Sequence, residues 1–481
     1  MTTRREVLKA LGVAGISAAL SPLKAFSATG DSSGVASFSQ PLRIPPVLSP
    51  TSSTSSADYY DLQVTQTNVS IIPGKSTPII GYNGMTPGPT IKARVGRQAM
   101  VNVYNGLPAT TLGGTTGKIV THLHSGHIPA VDDGFPTDYV NPGTNRTYTY
   151  PNNQLPATMW YHDHSMDVTG AHVWYGMAGF YLLTDSVEEG LNLPSGAYDI
   201  PLVIQDRNFD ASGNLVYTKN MNGETGSVVL VNGVVQPYFN VAARKYRFRV
   251  LNGSNARFYR LELSNGAAFK VIGMEGGLLP APVSVTSITL APAERADIIV
   301  DFSGMAMGMN VTLRNTLVSS TSTVYNLMRF NCTAMATDTS MAPSTLRPMT
   351  RLSTSQSVAT RTFTLSGGMI GSAWTINGSA FNPDSPIATP KVNTVEIWSF
   401  SNRSMLAHPV HVHQTSFQIL DINGAAPPAT HAGWKDVVVV PSMGTARIIA
   451  KFADYTGRYL MHCHILEHED MAMMARYDIV P

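Results

Sequence analysis

The stretch that decides the fold lies near the C-terminus and reads His462-Cys463-His464-Ile465-Leu466-Glu467-His468, with Met473 five residues further on. The apolar residues that lead into it favour a β-strand, in which side chains alternate between two faces. His462 and His464 therefore point to one side and Cys463 to the other. A cysteine thiolate, imidazoles and a weak axial methionine are the ligands of a blue-copper electron-transfer site. Cys463, His468 and Met473 supply this set apart from one further histidine.

Other histidine segments decide whether this pattern is a metal site. They are His122-Leu123-His124, His162-Asp163-His164 and His408-Pro409-Val410-His411-Val412-His413. A single His-x-His is more often a surface strand pattern or a fragment of a structural zinc site. Here the chain has 13 histidines, and all but His127, His172 and His431 lie in the four segments. This clustering indicates a protein that binds several copper ions.

The composition indicates an all-β protein. Gly, Pro, Ser, Thr and Val are abundant, charged residues make up 13% of the chain, and long helical periodicity is absent from the sequence. The net charge of +2 points neither to nucleic acid nor to an acidic partner. Two cysteines in an exported protein would suggest a disulfide. If Cys463 binds copper, Cys332 is left unpaired, and we expect it to be a small buried residue.

Internal repetition predicts three domains of about 150 residues each. Each of three Asn-Gly turn signals is followed, roughly twenty residues later, by an alternating strand that ends in asparagine, namely Val101–Asn105, Tyr246–Asn252 and Val395–Asn402. We place the domains at 58–187, 188–350 and 351–481. The middle domain has no histidine in its sequence. A metal cluster that uses both other histidine sets must then lie between the first and third domains.

The N-terminus has the features of an export signal. Arg4 and Arg5 precede a short, mildly apolar run over 10–20, which Pro22 and Lys24 end. A transmembrane anchor needs about 20 predominantly apolar residues, so this run is too short to be one. We expect a twin-arginine signal peptide at 1–28 and a flexible linker at 29–57. The mature protein should then be periplasmic or secreted in a bacterium, with the twin-arginine export machinery as a partner.

The four histidine segments, in this order and spacing, resemble the multicopper oxidase family. The sequence at 160–166, 175–181 and 433–436 is similar to the branch of bacterial laccases, bilirubin oxidases and spore-coat laccases. The resemblance covers nearly the whole mature chain. It implies three cupredoxin-like Greek-key β-barrel domains and four copper ions per chain. One would be a type 1 copper, one a type 2 copper, and two a type 3 pair.

The resemblance also implies which residues bind each copper. The type 1 copper would take His408, Cys463, His468 and Met473. The type 2 copper would take His122 and His411, and the type 3 pair would take His124, His162, His164, His413, His462 and His464. Strand alternation agrees with this division, because His411 and His413 share one face while Pro409 separates His408 from them.

The implied activity is one-electron oxidation of a small reducing substrate, coupled to the reduction of O2 to water. We expect electrons to enter through the edge of His408 or His468. Reduction of O2 consumes protons, so an acid is required near the three-copper cluster. Glu469 and Asp133 occupy positions that match acidic residues with this role in the family. The alternatives are a turn at Asp132-Asp133-Gly134 and a solvated charge at Glu469.

Several functional classes remain open. The first is an oxidase of phenols, aromatic amines or bilirubin-like pigments, and the second is a cuprous or ferrous ion oxidase that serves copper tolerance. The third is a copper-free structural relative that acts in cell division, which the complete ligand set disfavours. We expect a monomer that binds neither nucleic acid nor a membrane stably.

Residues outside the ligand set give weaker indications. Met305, Met307 and Met309 have the spacing of a soft Cu(I) site, but alternating methionines are more often core filler or one face of a turn. His127 is expected to be exposed and inert. His172 and His431 are expected to support the ligands or to lie on the surface.

Overall fold

The structure is a computed structural model that describes residues 33–368 and 373–481. In these residues the chain forms three successive pairs of β-sheets, and each pair encloses its own apolar core. The predicted all-β class and the three cupredoxin-like domains are confirmed. The helices in the described residues are all too short or too polar to cross a bilayer. The signal peptide predicted at 1–28 lies outside the described residues.

The first pair of sheets contains strands β1 (Ser52–Ser53), β2 (Ala57–Val69), β3 (Thr77–Tyr82), β4 (Gly88–Arg94), β5 (Gln98–Asn105), β6 (Thr121–His124), β7 (Asn145–Tyr150), β8 (Thr158–Asp163) and β9 (Ala178–Thr184). One sheet has the order β1-β2-β5-β7 with β3 beside β2, and the other has the order β4-β9-β8-β6. Its helical segments are 3-10 turns at Leu112–Gly114 and Ala130–Asp132, α1 (Thr169–Tyr175) and α2 (Ser186–Glu189).

The second pair contains β10 (Asp199–Arg207), β11 (Val228–Val231), β12 (Val234–Val235), β13 (Tyr238–Ala243), β14 (Lys245–Asn252), β15 (Tyr259–Leu263), β16 (Phe269–Met274), β17 (Gly277–Val285), β18 (Ser287–Leu290), β19 (Arg295–Asp301), β20 (Asn310–Asn315) and β21 (Asn326–Met335). The sheet orders are β12-β11-β10-β14-β19-β16-β17 and β13-β21-β20-β15-β18. A 3-10 turn at Gly196–Tyr198 precedes them.

The third pair contains β22 (Ser357–Ser366), β23 (Thr375–Ile376), β24 (Thr394–Asn402), β25 (His408–Val412), β26 (Phe417–Ile422), β27 (Val437–Val440), β28 (Thr445–Phe452), β29 (Gly457–Cys463) and β30 (Met474–Ile479). The sheet orders are β23-β22-β24-β28-β26 and β27-β25-β29-β30. Its helical segments are 3-10 turns at Thr354–Gln356 and Ala429–His431, and α3 (Leu466–Asp470).

The predicted repeat is visible in the local structure. The three strands that the sequence predicts to end in asparagine are β5, β14 and β24, one in each domain. The terminal side chains of Asn105, Asn252 and Asn402 each donate to two main-chain carbonyls of their own domain at 2.7 to 2.9 Å. The three Asn-Gly turn signals that precede these strands, Asn83-Gly84, Asn232-Gly233 and Asn377-Gly378, have positive φ at both residues, as a two-residue hairpin turn requires. The same short signals therefore give the same local structure three times.

The segment before β1 differs from its prediction. The sequence predicts a flexible linker at 29–57, and this is wrong for 38–48, which is bound along two domains. The amide of Leu42 donates to Tyr238 O at 2.7 Å, and the amide of Leu48 donates to Thr90 O at 2.8 Å. Composition did not reveal this, because main-chain pairing with a sheet edge does not depend on side-chain type.

Candidate metal centre

Two strand pairs bring histidines from distant segments face to face. In the first domain β6 and β8 are antiparallel, and His122 lies opposite His162. In the third domain β25 and β29 are antiparallel, and His411 lies opposite His462. Because side chains two residues apart share a face, a second histidine within β6 or just past the end of β8, β25 and β29 extends each row on the same side. The sheets of the first and third domains therefore each present a row of imidazoles.

The two rows meet in one buried cluster of eight histidines: His122, His124, His162, His164, His411, His413, His462 and His464. Within this cluster, three groups of three histidines each have their candidate ligand atoms within 4.8 Å of one another. The groups are His164/His413/His462, His122/His124/His162 and His122/His411/His413. The ring of His464 adjoins this cluster, with its centroid 5.1 Å from that of His124 and 5.4 Å from that of His162. The predicted interface between the first and third domains is where these side chains come together.

A second, smaller site lies on the opposite side of β29. Cys463 Sγ is 3.4 Å from His408 Nδ1 and 3.6 Å from His468 Nδ1, and the two Nδ1 atoms are 3.3 Å apart. Met473 is fully buried in the same core cluster, and its main chain pairs with those of Cys463 and His468. The alternation read from the sequence therefore separates Cys463 from its two neighbouring histidines as predicted.

The donor atoms of the larger cluster fit metal ions. His122 Nε2, His124 Nδ1, His162 Nε2 and His411 Nε2 are buried without a hydrogen-bond partner in the described part of the chain. An unsatisfied buried polar atom costs about 1–3 kcal/mol, so several converging on one space need a partner there. Nitrogen lone pairs and a thiolate match copper better than hard cations.

Protonation also favours metal binding. Burial lowers the pKa of His162, His408 and His411 to about 3, so these imidazoles are neutral at pH 7 and their lone pairs are free. Burial raises the pKa of the Cys463 thiol, which would oppose thiolate formation without a cation. A bound metal ion compensates for that cost, because it binds the thiolate directly.

One ring nitrogen of several histidines in the larger cluster lies against an oxygen atom. His122 Nδ1 is 2.6 Å from the carbonyl oxygen of Asp133, and His411 Nδ1 is 2.8 Å from that of Asp436. His413 Nδ1 is 2.7 Å from the carboxylate of Asp133. Such partners fix the tautomer and aim the other nitrogen at the metal.

Both predicted acidic residues lie inside the larger cluster. Glu469 in α3 places one carboxylate oxygen 3.0 Å from His462 Nδ1 and the other 3.4 Å from His164 Nδ1. Burial opposes the ionisation of Glu469, but the neighbouring His462 and His164 outweigh it and lower its pKa to about 2. Burial raises the pKa of Asp133 well above its usual value. Glu469 is therefore not a solvated charge, and Asp133 combines its turn position with a buried carboxylate.

Sequence reasoning missed an ion pair that joins the domains at the cluster. Asp436 accepts from Arg295 of the middle domain at 2.6 Å, and its other oxygen lies 3.2 Å from His124 Nε2. The neighbouring Lys435 is fully buried and contacts Glu275 and Glu294 at 2.9 Å and 2.6 Å. Two adjacent charges just before the apolar strand β27 were a signal of buried ion pairs. Their partners, more than a hundred residues away, could not be read from the sequence.

The remaining histidines differ partly from expectation. The expectation that His127 is exposed is wrong, because its side chain is 16% exposed and lies 2.9 Å from Asp454 and 3.1 Å from Gln414 O. His172 is buried and lies 2.9 Å from Asp163, the residue between His162 and His164. His431 lies 3.6 Å from Glu294, beside the Lys435 ion pair.

Cys332 is buried and free, as predicted. Met307 and Met309 are exposed at a turn after β19, whereas Met305 packs against the core of the middle domain. The neighbourhood of these methionines contains no group of histidine, cysteine or acidic ligands in the described residues.

Comparison with known proteins gives a consistent result. Three family models described as multicopper oxidase match residues 63–188, 205–342 and 353–481. A laccase of Bacillus stratosphericus is 36% identical over 92% of this chain and 99% of its own. A bilirubin oxidase of Albifimbria verrucaria is 35% identical over 92% of this chain and 81% of its own. The crystal structure of a laccase from Pediococcus acidilactici gives a TM-score of 0.85 at 32% identity, over 93% of this chain and 96% of that one.

Proposed function

This chain belongs to the multicopper oxidase family and is an oxidoreductase, and from that premise we propose that it oxidises phenols, aromatic amines or bilirubin-like pigments with O2. Bound copper would supply one-electron transfer at the smaller site and reduction of O2 to water at the larger cluster. The observation that carries the proposal is the tripeptide His462-Cys463-His464. Its cysteine lies 3.4 Å from His408 in the smaller site while its two histidines belong to the larger cluster. The chain thereby connects the two sites covalently.

The ligand assignment follows the same geometry. We assign the type 1 copper to His408, Cys463, His468 and Met473. We assign the type 2 copper to His122 and His411, and the type 3 pair to His124, His162, His164, His413, His462 and His464. The group His164/His413/His462 supports one position of the pair. The ring contacts among His124, His162 and His464 support the other.

The carboxylates of Glu469 and Asp133 would hold and deliver protons at the larger cluster. Each lies against ligand histidines, at 3.0 Å for Glu469 and 2.7 Å for Asp133, without being a ligand in our assignment. Their pKa values are shifted in opposite directions, downward for Glu469 and upward for Asp133. A pair of this kind can combine a proton acceptor with a proton donor.

A second candidate is a cuprous or ferrous ion oxidase. Two exposed methionines lie next to Ser404, a residue that contacts the smaller site: Met405 is 78% exposed and Met443 is 64% exposed. Ser404, adjacent to Met405, lies 2.7 Å from His408 Nε2, and the Met443 amide donates to Ser404 O at 3.1 Å. Thioethers bind Cu(I) well, which favours the cuprous form of this alternative. The copper-free structural relative is disfavoured by the complete set of buried ligands.

We also infer export. The twin-arginine motif at Arg4-Arg5 supports passage through the twin-arginine machinery to the periplasm or beyond, as a monomer without a membrane anchor. Processing to a chain that begins after residue 28 would support it, and retention of the leader in the mature protein would contradict it.

One experiment separates these functions. Copper-loaded protein should contain four coppers per chain and absorb strongly in the blue, and steady-state rates with a phenol and with Cu(I) are then measured on that sample. Faster turnover of the phenol supports the organic oxidase, and faster turnover of Cu(I) supports the metal oxidase. One copper per chain, or zinc alone, would overturn the proposal.

A further inference from the structure

A tryptophan that sequence reasoning did not single out covers the smaller site. The indole of Trp374, just before β23, stacks on the imidazole of His468 with ring centroids 3.9 Å apart and an interplanar angle of 28°. It meets His408 edge-on at 5.2 Å. Trp374 is itself 1% exposed and belongs to the same core cluster as Cys463 and Met473. One ring therefore contacts both histidines of the proposed type 1 site.

Two further contacts hold the indole in place. Its N–H donates to the carbonyl oxygen of Met221, in a loop of the middle domain, at 2.9 Å. The main chain at Gly367 and Gly368 lies against the tryptophan with φ of +127° and +78°. A Cβ at Gly368 would overlap the six-membered ring of the indole, so the close approach requires glycine. The position of Trp374 is thus fixed from both domains.

Because Trp374 lies over both histidines, it changes how a reductant can reach the smaller site. His408 and His468 are both 0% exposed, so a reductant cannot touch either of the imidazole edges through which we expect electrons to enter. Met221, whose carbonyl oxygen accepts from the indole, has a side chain that is 40% exposed. A donor molecule in solution therefore meets the side chains around the indole before it meets a ligand histidine.

We propose that Trp374 is a specificity-determining residue of the type 1 site: it keeps reductants out of contact with His468, so that electrons enter across the indole. The proposal rests on the type 1 assignment given above. This role of Trp374 fits an aromatic reductant that reacts by outer-sphere electron transfer. Such a reductant needs contact with the protein surface and does not need to coordinate the copper. Each donor phenol would lose one electron and one proton; bound copper would supply the acceptor for the electron, water would take the proton, and O2 would be the final oxidant.

The cover is tested first by solvent access to the type 1 copper of the copper-loaded enzyme. Electron spin-echo envelope modulation in D2O detects deuterium close to the copper. The deuterium modulation should be weak in the wild-type enzyme and in Trp374→Phe, which keeps a stacked ring. It should become stronger in Trp374→Ala, because water then reaches the site. Trp374→Leu, which keeps an apolar side chain in the core, gives the same test if the alanine variant does not fold.

The specificity is tested by anaerobic stopped-flow reduction of the blue copper. Two hydroquinones of matched potential, one small and one bulky, are compared in each variant. Steric discrimination in an apolar pocket is typically worth about 10- to 200-fold, so opening the site should raise the small-to-bulky ratio of rate constants by about tenfold or more. Water entry should also lower the type 1 reduction potential, because that potential depends on the apolar surroundings of the site. Trp374→Phe should match the wild type in both measurements.

Different outcomes would refute the proposed role of Trp374 and the assignment of the type 1 copper site. Deuterium modulation at the wild-type level, or an unchanged ratio and potential, in Trp374→Ala and Trp374→Leu that retain the blue absorption would overturn the role of Trp374. Lower thermal stability with none of these changes would mark Trp374 as a core residue alone. A wild-type enzyme that never develops the blue absorption on copper loading would instead overturn the type 1 assignment.

Discussion

Replacing Glu469 by glutamine should slow the reaction with O2 without disturbing copper binding. The two carboxylate oxygens lie 3.0 Å from His462 Nδ1 and 3.4 Å from His164 Nδ1. The opposite nitrogens of these rings, the two Nε2 atoms, are 3.3 Å apart and face the proposed copper position. The glutamine amide has nearly the same shape and replaces no ligand. Copper content should therefore stay at the wild-type level.

The expected decrease in the rate of reaction with O2 follows from the loss of proton transfer, because the glutamine amide cannot carry a proton. Loss of general acid–base assistance typically lowers a rate by about 10²–10⁴-fold. At about 1.36 kcal/mol per tenfold, this corresponds to an increase of about 2.7–5.4 kcal/mol in the barrier. Reduction of the type 1 copper requires no proton from Glu469, so that step should keep its wild-type rate.

The assay is anaerobic reduction by a hydroquinone, followed by rapid mixing with O2 and observation of the returning blue absorption. Glu469→Asp, which keeps a carboxylate on a shorter side chain, is the matched control and should retain part of the rate. Reoxidation of Glu469→Gln at the wild-type rate with full copper loading would refute the reasoning. Protons would then reach the cluster by another route.

Three further predictions concern other parts of the chain. Cys463→Ser should lose the blue absorption and the oxidase activity but keep most of the copper in the larger cluster; visible spectra and copper analysis check this, and a blue variant would contradict the ligand assignment. Asp133→Asn should slow reoxidation by O2 at unchanged copper content, and stopped-flow traces that match the wild type would contradict it. Lys435→Met should lower the free energy of unfolding by about 3–5 kcal/mol, because it leaves Glu275 and Glu294 buried without a cation; denaturant unfolding measures this, and an unchanged midpoint would contradict it.

Local sequence was a good guide wherever the relevant physics is local. Strand alternation is set by backbone geometry, so three consecutive residues sufficed to send Cys463 to one site and His462 and His464 to another. The Asn-Gly pairs predicted hairpin turns for the same reason, since both positions require positive φ. The count of three domains followed from the repetition of such signals along the chain.

Burial was harder to predict from sequence. The family resemblance correctly placed Glu469 and Asp133 near the histidines. The sequence alone was equally consistent with a solvated charge at Glu469 and a turn residue at Asp133. His127 was misjudged because its partners, Gln414 and Asp454, come from the other end of the chain. A residue type gives the tendency to be buried, whereas the burial itself depends on which distant segments pack around it.

The sequence by itself determined that the chain is all-β, that it has three domains, and which face of each strand carries its histidines. The tertiary structure decided which histidines share a site, because His164 and His462 are 298 residues apart and meet only through domain packing. The tertiary structure also brings Arg295 against Asp436 and stacks Trp374 on His468. Periodicity specifies the direction of a side chain relative to its own strand. What the side chain meets there depends on how whole domains pack, and no short stretch of sequence contains that information.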